Sequence, residues 1–159
     1  MKEPPICEEA ALRDLIAAAF GERPDPPTIT LRGSNALDDY GPPAPWDAAL
    51  DTPDAAYLEE NCWGQHHLDP ASWRHYLPIL MRHALDRFRD HAPSPSTDTL
   101  LFSLRPPDRV PPRFATLSPE QEAAVLQFLD LLAFDPRSTY TDDAMTALEE
   151  YWAPGATYR

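Results

Sequence analysis

The apolar positions of this chain fall into helical stripes separated by proline-rich breaks. From Glu8 to Phe20, Leu12, Leu15, Ile16, Ala19 and Phe20 recur at three- and four-residue intervals, which predicts an amphipathic helix ended by Gly21. Glu8 and Glu9 suit the positive end of its dipole. The clearest run follows Asp69-Pro70, an N-cap with proline at the first helical position: Trp73, Tyr76, Leu77, Leu80, Met81, Ala84, Leu85 and Phe88 share one face. Pro78 lies inside that run and is expected to kink the helix, or to end one near Tyr76 and start another, because it lacks an amide donor and crowds the preceding turn. Ser118-Pro119-Glu120-Gln121 spells a capping box and predicts a helix that buries Ala124, Val125, Phe128, Leu129 and Leu132. Thr141-Asp142-Asp143 is read as the cap of a last helix, with Met145, Leu148, Tyr151 and Trp152 inward and Pro154-Gly155 as its stop. A shorter helix is expected from a Thr52 cap to about Cys62, with Ala55, Leu58 and Cys62 inward.

The stretches between are less regular. Residues 22–52 hold many breakers and no sustained period, so they read as an irregular Pro-rich connection in which Thr28 to Leu31 could form a short strand. HAPSPST at 91–97 reads as a linker, and periodicity does not separate helix from strand for Leu100 to Leu104. The fold class is therefore mainly α: a single compact domain over 1–159, of five or six helices with a long Pro-rich connection and at most one short strand pair.

Composition changes the picture in two ways. The 20 prolines exceed twice the usual share of about 5%, yet they fall between apolar segments, which makes them helix starts and rigid connectors. The net charge of −13 repels nucleic-acid phosphates and anionic membranes, so neither is an expected partner and a basic protein is favoured; solubility alone is the competing account. No run approaches the roughly 18–20 apolar residues of a membrane span, and residues 1–20 lack a basic stretch followed by an apolar one, so the cytoplasm is the expected address. Cys7 and Cys62 are too few for a disulfide scaffold and are expected to be reduced. Twelve arginines against one lysine suggest a GC-rich genome and hence a bacterium.

Candidate chemistry is sparse. His66, His67, Asp69, Arg74 and His75 crowd together in sequence and form a possible small-ligand cluster, able to take a small anion or a partner carboxylate. No metal and no cofactor are expected there: zinc needs three or four converging ligands, and His75, His83 and His91 recur every eight residues, which turns each about 80° from the last on a helix. Cys62 precedes His66 and His67 without an oxyanion-hole signature, and the five glycines form no phosphate-binding loop. An enzyme is the less favoured reading.

Charge layout is more informative. No Lys or Arg occurs between Arg32 and Arg74, while Asp38, Asp39, Asp47, Asp51, Asp54, Glu59, Glu60 and Asp69 do, interleaved with Tyr40, Trp46, Tyr57 and Trp63. Residues 74–113 then carry seven Arg against four Asp. Acids with aromatic anchors are the ingredients of a protein interface; equally, the acidic stretch could pack against the arginine-rich middle of its own chain.

The strings LRGSNALDDY (31–40), LDPASWRHYLP (68–78), LRPPDRVPPR (104–113) and LSPEQEAAVLQFL (117–129) resemble an uncharacterised bacterial family described only as a domain of unknown function, over about residues 30–135. The resemblance implies a shared helical fold and a bacterial origin, and no mechanism. The leading expectation is a non-enzymatic cytoplasmic protein-binding module, in its most concrete form an immunity or inhibitor protein that neutralises a basic partner such as a toxin. Its interface would be Asp38, Asp39, Tyr40, Trp46, Asp47, Asp51, Asp54, Tyr57, Glu59 and Glu60. A small enzyme or ligand-binding protein using the histidine cluster, and a structural subunit of a larger assembly, are the alternatives.

Overall fold

A computed structural model of the chain describes residues 6–21 and 26–159, without the side chains of Ile6 and Cys7. The expectation for the Cys7 thiol therefore lies outside the described residues, as does the 22–25 part of the irregular connection. Helix α1 runs from Ile6 to Phe20 and stops where Gly21 turns left-handed at φ 82. The amide of Gly21 still donates to the Ala17 carbonyl at 2.9 Å.

Thr28 to Leu31 does not form a strand. Thr30 is extended and its Oγ1 accepts from the Gly33 amide at 2.9 Å, so it caps a helix α2, Leu31–Asp38. The β-branched residues that suggest a strand end on a helix start, because a threonine oxygen offers an orphan amide the acceptor it lacks. The segment before α2 is pinned by the Ile29 amide, which donates to Ser72 Oγ at 3.0 Å. Helix α3, Ala55–Glu60, is capped by Asp54 rather than Thr52, and it leads into a 3-10 helix, Cys62–His67. Leu58 is buried as expected and Cys62 is buried from the 3-10 helix, whereas Ala55 is exposed and Tyr57 takes the inward place.

Helix α4, Pro70–Arg87, passes through Pro78 without a break. A proline in a helix interior costs about 3 kcal/mol, but each large apolar side chain buried contributes about 1.5–3 kcal/mol. Leu77, Leu80, Met81, Leu85 and Phe88 are all buried along that face, so continuing the helix wins. The expected linker at 91–97 is half wrong: Ser94 accepts from the Thr97 amide at 3.3 Å and caps α5, Pro95–Ser103, so residues 95–97 are its first turn. Leu100 to Ser103 is thereby helical.

Helix α6, Pro119–Phe134, opens on the expected capping box, with Ser118 Oγ accepting from Gln121 N at 3.1 Å and Gln121 Oε1 accepting from Ser118 N at 3.0 Å. Ser118→Ala should cost about 1 kcal/mol, read as a fall of roughly 2–4 °C in Tm; an unchanged melt would show that the box contributes nothing. Helix α7, Thr141–Ala147, follows Tyr140 with no side-chain cap, so Thr141 is its first residue and not its cap. It widens into a π turn, Leu148–Trp152, and ends before Gly155 at φ 78. The protein is mainly helical, and no strand occurs among the described residues.

Helix contacts close a ring: α1 packs on α4, α4 on α5, α5 on α7, α7 on α6 and α6 back on α1. The core inside it is aromatic, with Trp73, Phe88, Phe114, Phe128 and Trp152 buried. Arg89 joins three elements at one end, donating to Glu9 of α1 at 2.7 Å and to Asp135, the cap residue closing α6, at 2.7 Å. Trp152 Nε1 donates to the Leu104 carbonyl at 2.7 Å and ties the C-terminal turn to the end of α5. Outside the ring, α2 lies on the 3-10 helix of 62–67, and Ser34 Oγ donates to the Gly64 carbonyl at 2.6 Å.

Candidate functional site

The loop between α2 and α3 is held from below by one carboxylate. Asp51 is buried and accepts from Arg32 Nε at 3.2 Å and Nη2 at 2.9 Å, from the Tyr57 hydroxyl at 2.8 Å and from the Asp47 amide at 2.8 Å. Burial pushes the Asp51 carboxyl up, but the Arg32 hydrogen bonds and the Asp47 amide outweigh it and hold the group below its ordinary range. Burial raises the Tyr57 phenol, which therefore stays a donor. Arg32 Nη2 also donates to the Pro45 carbonyl at 2.9 Å, so the staple fixes the loop at its middle and its end.

This division of labour sorts the expected interface. Asp51 and Tyr57 work inside the fold. Asp54 Oδ1 accepts from Tyr57 N at 2.9 Å as the cap of α3, and Asp47 Oδ1 accepts from Ala49 N at 2.8 Å within its own turn. Glu59 accepts from Ser94 Oγ at 2.7 Å and faces His83 Nε2 at 2.9 Å. Asp38 lies 3.2 Å from His67 Nε2. Asp39, Tyr40, Trp46 and Glu60 are exposed, and among the described residues their side chains have no hydrogen bond or ion pair. Tyr40 is 100% exposed and adopts φ 58 at the end of α2, a left-handed position where glycine is the unstrained choice.

The histidine cluster does not converge. His66 and His67 face different clefts, Asp69 accepts from Ser72 N at 3.3 Å as the cap of α4, and His75 packs edge-on against Tyr76 with ring centroids 4.8 Å apart. Arg74 lies half-buried on α4. One cleft, of about 460 Å³, runs between Pro27–Thr30 and Pro43–Trp46 and is lined by His67 and Asp69. The other, of about 450 Å³, lies where the 3-10 helix meets α5 and α7, lined by Trp63, His66, Asp98, Phe102, Arg105 and Asp143 among others. Sequence pattern does not single out Asp98, Phe102, Arg105 or Asp143 as site residues. Their only signal is an aromatic on the polar face of a short helix, which is invisible until α5 is recognised as one.

Cys62 is buried, and burial pushes its thiol up, so a thiolate beside His66 is not what the fold builds. No three or more His, Cys, Asp or Glu side chains group as metal ligands among the described residues.

The arginines of 74–113 meet the acidic stretch through its backbone and not through its carboxylates. Arg89 pairs with Glu9 and Asp135, Arg105 with Glu150 at 2.6 Å, and Arg87 with Asp90 at 3.9 Å. Arg109 Nη1 donates to the His66 carbonyl at 2.8 Å. Arg113, 2% exposed, donates to the carbonyls of Gln65 at 3.0 Å and Leu68 at 2.6 Å. Burial brings its pKa down to about 10, so it stays charged at neutral pH and holds the 62–68 turn by its backbone. Among the described residues no ion pair joins an acid of 38–69 to an arginine of 74–113.

These features define an acidic helical domain with a stapled, aromatic-bearing loop. The chain belongs to the Family of unknown function (DUF6714), which it matches over residues 8–156. No curated protein and no solved structure matches it. No helix among the described residues is long and apolar enough to cross a membrane.

Proposed function

We propose that this protein is a binding module whose α2–α3 loop region docks a basic protein. The observation that carries the reading is the uncompensated charge: five of the seven arginines of 74–113 are bound to acids outside 38–69 or to backbone carbonyls, and among the described residues Asp39 and Glu60 have no ion pair with any cation. Opposite charge on a partner supplies steering and selectivity, and exposed Tyr40 and Trp46 supply anchors of the kind that dominate interface energy. Tyr40 adds a second argument. A non-glycine residue in the left-handed region costs about 1–2 kcal/mol, and a ring that is fully exposed contributes nothing to the core in return. The backbone there serves the end of α2, since the Gly41 amide donates to the Ala36 carbonyl at 2.8 Å and the Tyr40 amide to the Leu37 carbonyl at 3.0 Å, so it is the choice of an exposed tyrosine over glycine at that place that points to the surface. An inhibitor that neutralises a basic toxin is the narrowest form of this reading and would use the same surface.

The test exploits opposite signs. Tyr40→Gly is expected to raise stability by about 1 kcal/mol, a gain of roughly 2–4 °C in Tm, while weakening capture of the partner. Asp39→Asn with Glu60→Gln should leave the melt unchanged and weaken capture most at low salt. Pulldown from the source cell with each bait, quantified at two salt concentrations, reads both effects. Recovery of the same partner at the same strength by parent and variant baits alike would remove the loop from the interface.

A further inference from the structure

The cleft at α5 is a second site with a chemistry of its own. Two of its walls are large aromatics left in solvent, Trp63 at 57% and Phe102 at 61% exposure. His66 bridges them, stacked on Trp63 at 5.8 Å and 29° and edge-on to Phe102 at 6.1 Å. Arg109 Nη2 lies 3.3 Å from His66 Nδ1, and because a guanidinium can only donate, that nitrogen must carry a lone pair. The imidazole wall is therefore neutral. Burial, and after it Arg109, keep the ring below its usual pKa.

The remaining wall is anionic. Asp98 and Asp143 both line the cleft, and burial followed by the charge of Asp143 pushes the Asp98 carboxyl up. Arg105 lines it too, but is bound by both oxygens of Glu150 at 3.2 and 2.6 Å and is already neutralised. A cleft with three neutral aromatic faces and two mutually repelling carboxylates favours a cation. We propose that it takes the guanidinium of an arginine side chain presented by a protein partner. A guanidinium is flat enough to lie against an indole or phenyl face while its fork serves carboxylates, which the compact, strongly hydrated ammonium of lysine does less well. The proposal rests on the reading that the partner is basic and adds a socket for one of its side chains.

The test needs no partner. The four tryptophans give separate indole N–H signals in an ¹⁵N-labelled sample, and N-acetyl-arginine amide is the ligand titrated. The expected result is a saturable shift of the Trp63 signal, with those of the buried Trp73 and Trp152 fixed. N-acetyl-lysine amide should bind at least fivefold more weakly. Asp98→Asn with Asp143→Asn should weaken the arginine derivative about tenfold, and Phe102→Ala, an exposed change that leaves the core alone, should weaken it as well. A Trp63 signal that does not move, binding that survives the double asparagine variant, or tighter binding of tetramethylammonium than of the arginine derivative would each overturn the assignment. The two readings fail separately: the Asp39, Tyr40 and Glu60 baits probe the docking surface whatever this titration gives, and the titration probes the socket whatever the baits recover.

Discussion

Gly64→Ala is expected to destabilise the protein by about 3 kcal/mol, because overpacking against atoms that cannot swing away sits at the upper end of such costs. The added Cβ would stand 2.3 Å from the Leu31 carbonyl oxygen and 3.1 Å from the Asn35 amide nitrogen, both backbone atoms of α2. Relief requires lifting α2 off the 3-10 helix. That movement would also lengthen the Ser34 to Gly64 hydrogen bond, which starts at 2.6 Å. For a chain of this size the loss corresponds to roughly 6–12 °C in Tm. Gly33→Ala should act in the same direction, since its Cβ would meet the Ala44 carbonyl oxygen at 2.7 Å. Thermal and urea melts of both variants decide the matter. If Gly64→Ala melts within a degree or two of the parent, α2 is not packed where it is described.

Asp51→Ala should have a comparable effect, about 3 kcal/mol, because each buried donor left without its acceptor costs about 1–3 kcal/mol, while Arg32, 27% exposed, regains water. Arg32 would lose both of its contacts to the carboxylate, and the Tyr57 hydroxyl and Asp47 amide would lose their acceptor. The pH dependence has a definite sign. The Asp51 carboxyl sits below its ordinary value near 3.8 in the folded protein, so its contribution is complete above that pH and disappears as pH falls through the folded value. Asp135 and Glu9 add to the same slope. Burial raises both, but the Arg137 amide and Arg89 outweigh it at Asp135, as Arg89 and Arg13 do at Glu9, so both end lowered. Urea midpoints at pH 7 and pH 3 should therefore separate parent from Asp51→Asn more widely at the first than at the second. An equal gap at both would show that Asp51 is not held as an ionised group.

Where local signals are strong, the sequence is legible. The Ser118 box and the Asp69-Pro70 start are satisfied within a few residues of the helices they open, and the α4 stripe is buried as its periodicity implies. Ser94-Pro95 carries the same start signal as Ser118-Pro119, but the prolines around it read as linker and hide the helix. Helix α2 is harder, because Arg-Gly-Ser-Asn has loop composition and its glycine serves close packing against another segment, a tertiary fact. Thr52 and Asp54 offer competing caps two residues apart, and local pattern alone does not choose between them.

The candidate surface is legible as a stretch and not as a set of roles. Its acidic and aromatic residues look equivalent along the chain, yet one carboxylate becomes the buried staple, others become caps, and only Asp39, Tyr40, Trp46 and Glu60 keep side chains without polar partners among the described residues. Which acid meets Arg32 depends on how the loop closes. The histidines fail for the related reason that adjacency along a 3-10 helix separates side chains: His66 and His67 line different clefts.

The helix ring bears on how the chain reaches this state. Its closing contact joins α1 to α6, where Gln121 Nε2 donates to the Ala19 carbonyl at 3.3 Å across 102 residues of sequence, and Arg89 reaches back 80 residues to Glu9. Contacts so distant carry a loop-closure cost that must be met before they contribute anything. Folding should begin with the neighbouring pairs α4–α5 and α6–α7, whose joining loops are short, and α1 should dock last. Until then the apolar stripe of Leu12 and Ile16 stands exposed on a growing chain, so α1 is the segment most in need of protection during synthesis.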